Sequence, residues 1–127
     1  MPHVLIVDNN KNNAAILAQL LDFEGIDHTS LLDSTKIEGF LSKNNAVSLI
    51  FLDLEMPGLN GYEVIQQLKG DDRFRHIPVI AYTVHVSEIQ NARNYGFNGF
   101  IGKPLDADLF PEYLQKIMAG EEVWVTP

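Results

Sequence analysis

Leu49-Ile50-Phe51-Leu52-Asp53-Leu54-Glu55-Met56-Pro57-Gly58-Leu59-Asn60-Gly61 decides the reading of this chain. A short apolar run ends on one carboxylate and passes into a Gly- and Pro-rich loop before a helical pattern begins. Three other runs end the same way: Val4-Leu5-Ile6-Val7 at Asp8, Val79-Ile80-Ala81-Tyr82 at Thr83, and Phe100-Ile101-Gly102 at Lys103. Continuous apolar runs separated by helix-length amphipathic stretches read as parallel strands buried on both faces. Such strands finish at one edge, where open α/β sheets hold their chemistry. Two carboxylates, a hydroxyl and an ammonium are therefore expected to meet at a single rim.

Working outward, the first strand covers His3 to Val7, and its helix carries Ala14, Leu17, Ala18 and Leu21 at helical spacing up to Gly25. A second strand from Ile26 to Leu31 leads to a helix with Ile37, Phe40 and Leu41, capped by Asp33 or Ser34. The third strand, Val47 to Leu52, is followed after the loop by a helix holding Val64, Ile65 and Leu68, which ends at Gly70-Asp71-Asp72. Ile77 to Tyr82 forms the fourth strand. Ser87 and Glu88 open a helix with a thin stripe, Ile89 and Ala92, which predicts a loosely held element. The last unit pairs Gly99 to Ile101 with a helix bearing Phe110, Tyr113, Leu114 and Ile117. Residues 1–120 read as one body, and residues 121–127 as a disordered or lightly docked tail. Five strand-helix units predict a doubly wound five-stranded parallel sheet in the order 2-1-3-4-5, with Asp8 and Asp53 as neighbours across the switch point.

With 127 residues and 46% hydrophobic content the chain fits one domain. Its first strand follows Met1 too closely for a signal peptide, and no apolar run reaches membrane-spanning length, so a cytoplasmic protein away from membranes is the expectation. The lack of Cys excludes disulfides, thiolate metal sites and thiol catalysis. A formal net charge of -8 argues against nucleic acid and for a protein partner. His3, His28, His76 and His85 lack metal-ligand spacing, and only His85 falls beside the expected rim.

Two carboxylates brought close together repel unless a cation lies between them, and hard oxygens on a strand edge suit Mg²⁺. Asp8 and Asp53 are the candidate ligands. A carboxylate can also act as a nucleophile and form an acyl phosphate. Asp53, ending the central strand and opening the loop, is the better candidate for that role. Lys103 and Thr83 would then share the phosphoryl oxygens with the metal. Taken singly, each residue has a plainer explanation: a turn former for Asp8, a β-branched strand end for Thr83, a surface amine for Lys103, a core aromatic for Phe100. Their conjunction carries the inference.

In order and spacing, Asp8, Asp53 with its Leu-Asp-Leu-Glu-Met-Pro-Gly-Leu-Asn-Gly context, Thr83 and Gly102-Lys103-Pro104 resemble the receiver domain of two-component response regulators. The resemblance spans almost the whole chain and implies a flavodoxin-like, CheY-like fold. It implies a single-domain phosphorelay protein whose Asp53 accepts phosphate from a phosphohistidine on a histidine kinase or histidine phosphotransfer protein. Mg²⁺ would be bound by Asp8, Asp53 and the Glu55 backbone carbonyl, and the Lys103–Pro104 bond would be cis. Thr83 and Phe100 occupy the family's switch positions. A protein target would read the face made by the fourth helix, fifth strand and fifth helix. Homodimerisation is left open, and catalysis is confined to the protein's own phosphorylation and dephosphorylation.

Some positions depart from the family pattern. Asn9 stands where a second acid is usual; its amide oxygen can still serve the metal, but one negative charge is gone and weaker Mg²⁺ binding is expected. Val84 stands where the family most often has a small residue after Thr83, and its methyl groups would crowd access, while the resemblance implies that Glu55 and His85 flank the acyl phosphate and would tune its hydrolysis. Asn9 and Val84 motivate an alternative, a degenerate receiver acting as a phosphorylation-independent docking or dimerisation module. A nucleotide or flavin protein of the same architecture is disfavoured, because Asp8-Asn9-Asn10-Lys11 stands where a Gly-rich phosphate loop would be.

Overall fold

The structure is a computed structural model that describes residues 2–43, 46–54 and 60–127. Among these, β1 (His3–Val7), β2 (Asp27–Leu31), β3 (Val47–Leu52), β4 (Val79–Thr83), β5 (Gly99–Gly102) and β6 (Trp124–Val125) form one sheet in the order β2-β1-β3-β4-β5-β6. Every neighbouring pair is parallel. The helices are α1 (Lys11–Phe23), α2 (Ile37–Lys43), α3 (Gly61–Lys69), α4 (Ile89–Asn94) and α5 (Phe110–Met118).

The two-residue period of the strands divides the core in two. Leu5, Val7, Ile50, Leu52, Ala81 and Phe100 face α2, α3 and α4, where Ile37, Leu41, Val64, Ile65, Leu68 and Ala92 meet them. Val4, Ile6, Leu49, Phe51, Ile80, Tyr82 and Ile101 face α1 and α5, where Leu17, Leu21, Phe110, Leu114 and Ile117 meet them. Each fully buried aliphatic side chain contributes roughly 1.5–3 kcal/mol, so the apolar runs hold the rim in place.

Local chemistry fixes the helix starts. Asn10 caps α1 by accepting from Asn13 N at 3.1 Å. Asn60 and Glu63 form a capping box on α3. Asp33, rather than Ser34, is the cap of the 3₁₀ turn Ser34–Lys36 that leads into α2. As its thin stripe predicts, α4 is short, with Ala92 its buried residue.

The expected order 2-1-3-4-5 is present, and a sixth strand extends it. The tail does not trail: Phe100 N donates to Val123 O at 2.8 Å, Trp124 and Val125 pair with Phe100 and Ile101, and Val123 is buried. This addition runs against ordinary crossover rules. From β3 to β4 the chain moves along the sheet through α3 on one face; from β5 to β6 it moves the same way through α5 on the other face, a connection of opposite hand. A two-residue strand on the sheet edge tolerates that hand because the tail reaches β5 directly from the end of α5.

Candidate functional site

Backbone hydrogen bonds continue the ladders past the strand ends and bring the polar residues to one rim. Asp8 N donates to Leu31 O at 3.1 Å, Asp53 N to Val7 O at 2.9 Å, and Lys103 N to Thr83 O at 2.8 Å. Asp8 is 0% exposed, Asp53 7% and Thr83 1%, and the Lys103 side chain is 8% exposed. The α3 helix closes in behind them. Gly61 N donates to Leu54 O at 3.0 Å, and a Cβ on Gly61 would stand 2.8 Å from Asp53 O, so only glycine admits this approach.

Lys103 joins the two carboxylates. Its Nζ lies 3.0 Å from Asp8 Oδ2 and 3.7 Å from Asp53 Oδ2. Asp8 Oδ1 accepts the Asn10 backbone N–H at 2.8 Å, which sets the carboxylate's orientation from its own loop. Thr83 Oγ1 accepts from His85 N at 3.2 Å, and the following Val84 and His85 sit on an exposed turn. Asn9 is exposed beside Asp8. The Lys103–Pro104 peptide is cis. Phe100 does not join this cluster; it is buried on the α2–α4 face of the sheet, paired with Ala81 on one side and Trp124 on the other. Glu55, with the loop to Leu59, lies outside the described residues.

Tyr82 reads in the sequence as one more member of an apolar run, but its hydroxyl belongs to the site. Tyr82 Oη donates to Asp8 Oδ2 at 2.8 Å, and Lys103 Nζ rests 4.3 Å from the Tyr82 ring centroid. Strand β3 separates β4 from β1, and strands lie about 4.8 Å apart, so only a long side chain spans the gap. The ring crosses above Phe51, edge to face at 6.1 Å. Burial raises the phenol's pKa above its ordinary value, the Asp8 charge and hydrogen bond and then the Asp53 charge adding to the effect, so Tyr82 stays a proton donor at physiological pH. A Tyr two strands from an acidic strand end was the signal available.

The arrangement fits a hard divalent cation. Both carboxylates already converge on one cation, the Lys103 ammonium, and offer the oxygen donors Mg²⁺ prefers. Among the described residues no group of three or more His, Cys, Asp or Glu is clustered. A metal here would rest on two carboxylates with backbone, amide and water oxygens.

Comparison with known proteins agrees with this fold. The polar-differentiation response regulator DivK of Brucella anthropi is 30% identical over 118 residues, covering 91% of this chain and 94% of that protein. The chemotaxis protein CheY4 of Vibrio cholerae superposes with a TM-score of 0.82 at 20% identity, over 92% of this chain and 98% of that one. The receiver domain of the Pseudomonas aeruginosa sensor histidine kinase PA1611, solved with a magnesium ion coordinated in its active-site cleft, gives a TM-score of 0.82 at 22% identity, over 92% and 97%. With the response regulator receiver domain pattern matched across residues 4–115 as well, this chain belongs to that family of two-component signalling proteins.

Proposed function

We propose that this receiver takes a phosphoryl group onto Asp53 from a phosphohistidine and signals through phosphorylation-dependent contact with another protein. The observation that carries the reading is the position of Lys103 Nζ, held between Asp8 Oδ2 and Asp53 Oδ2 at a rim where all three side chains are buried. An Asp53 carboxylate oxygen attacks phosphorus in line with the histidine nitrogen; the P–O bond forms as the P–N bond breaks, and the departing imidazole takes up a proton from solvent. Asp8, Asp53, the Glu55 carbonyl and the Asn9 amide oxygen would hold Mg²⁺, whose charge would offset that of the phosphoryl group. Lys103 passes from Asp8 to one phosphoryl oxygen, and the Thr83 hydroxyl donates to another.

The donor is a histidine kinase or histidine phosphotransfer protein, and the chain acts on no substrate other than itself. Movement of Thr83 toward the phosphoryl group is coupled to Phe100, and the target reads the face of α4, β5 and α5, which in this chain also carries β6. Similarity to response regulators over nearly the full length supports this output by protein contact. Among the described residues no helix is long and apolar enough to cross a membrane, which is compatible with work in the cytoplasm.

Mass spectrometry after incubation with Mg²⁺ and acetyl phosphate tests the reading. One phosphoryl group is expected, mapped to the peptide containing Asp53 and absent from Asp53→Asn. No added phosphoryl mass in the wild type would leave only a docking module and end the proposal.

A further inference from the structure

One oxygen of Asp8 holds two donors at once. Tyr82 Oη donates to Oδ2 from 2.8 Å and Lys103 Nζ from 3.0 Å, while Oδ1 takes the Asn10 N–H. A carboxylate oxygen offers about two lone-pair sites, so Oδ2 is saturated in the free protein.

The two donors differ in freedom. Lys103 reaches both carboxylates on a flexible stem and can move from one to the other. Tyr82 cannot. Its ring is fully buried against Phe51, at 6.1 Å and 79° between planes, and turning the ring about its own axis leaves the hydroxyl where it is. When Lys103 departs, the phenol stays on Oδ2.

We infer that Tyr82 is a positioning residue that competes with a divalent cation for Asp8 and so sets a low resting affinity of the site for the metal. The inference rests on the phosphotransfer reading, because that reading supplies the cation. In the free protein the phenol stabilises a carboxylate that has no access to water. Without the hydroxyl, a buried oxygen keeps one donor fewer, and an arriving cation relieves the deficit. Lower stability without metal and tighter metal binding are then one effect seen twice. An outer hydrogen bond that only orients a ligand behaves in the opposite way, and its loss weakens binding. Orientation of Asp8 is already secured by the Asn10 backbone N–H on Oδ1. The sign of the change separates the two roles.

Isothermal titration of Mg²⁺ into the full chain, unphosphorylated, compares the wild type with Tyr82→Phe. The variant is expected to bind at least about threefold more tightly, a fraction of what a hydrogen bond to a charged group contributes, and its melting temperature to rise more on adding Mg²⁺. Equal or weaker binding overturns the inference, and so does the absence of measurable binding by both proteins. Tyr82→Met, also without a hydroxyl, repeats the test should the Phe variant fold poorly; a folding defect alone does not raise affinity. Phosphorylation of Asp53 is scored separately. Labelling with unchanged affinity in Tyr82→Phe defeats this inference alone, and tighter binding without any label on Asp53 defeats the phosphotransfer reading alone.

Discussion

Lys103 Nζ and Asp8 Oδ2 form a 3.0 Å ion pair in which neither side chain exceeds 8% exposure. Removing one partner of a buried pair leaves a charge without compensation and costs about 3–5 kcal/mol. Lys103→Met is therefore expected to destabilise by about 3 kcal/mol. The double variant Asp8→Asn/Lys103→Met should lose less than the sum of its single changes. Added Mg²⁺ should restore part of the Lys103→Met loss, since the cation replaces the missing ammonium. Urea unfolding with and without Mg²⁺ measures each quantity. A metal response in Lys103→Met no larger than in the wild type would mean that Lys103 does not stand in the cation's place.

Tyr82 gives the alkaline limb of stability a sign. Burial first, then the Asp8 and Asp53 charges, raise the phenol's pKa above the ordinary 10.0, so above pH 10 the unfolded chain loses a proton that the folded chain retains. The unfolded state then binds fewer protons, and stability falls as pH rises, by about 1.4 kcal/mol per pH unit for one group. Tyr82→Phe removes that slope. Urea midpoints from pH 9 to 11.5 should fall more steeply in the wild type than in the variant, the lysines titrating alike in both. Parallel curves would show that the hydroxyl is not held protonated in the folded protein.

On the proposed reading, position 9 contributes to the charge that a metal would meet. Asn9→Asp adds an acid beside Asp8, and calorimetry should show Mg²⁺ binding tightened by about an order of magnitude, as ligand charge count predicts. Without metal the added like charge should lower stability by less than about 1 kcal/mol, because position 9 is exposed. An unchanged dissociation constant would mean that the residue at position 9 does not reach the cation.

The rim was legible because each apolar run carries its polar residue at its end, and parallel pairing converts that one-dimensional pattern into proximity. Asp8, Asp53 and Lys103 could be brought together on paper from strand order alone. The hydroxyl of Tyr82 could not, because its ring satisfies the apolar pattern and its reach across β3 depends on where Phe51 leaves space. The sixth strand was hidden for a different reason. Val123-Trp124-Val125 is a run of only three residues behind Glu121 and Glu122, and its strand joins the sheet through a connection of the disfavoured hand. The short α4, by contrast, was foreshadowed by its poverty of apolar residues.

β5 is shaped to receive the tail, and its two glycines test this with different expected severities. A Cβ on Gly99 would stand 2.8 Å from Val123 O and 2.9 Å from Ile80 Cδ1, one a backbone atom bound into the sheet and the other a core side chain. At Gly102 the nearest atoms are Pro127 Cδ at 2.6 Å and Val86 Cγ1 at 2.8 Å, both on exposed residues outside the core. Gly99→Ala should cost about 1–3 kcal/mol, as overpacking in a filled site does, and Gly102→Ala clearly less. Trp124 reports the outcome, being the only Trp in the chain and stacked at 4.3 Å under the Arg93 guanidinium. Its emission should shift to the red in Gly99→Ala as β6 leaves the sheet edge, and stay close to wild type in Gly102→Ala. Equal shifts in the two variants, or none in Gly99→Ala, would show that β6 is not seated on β5 in solution.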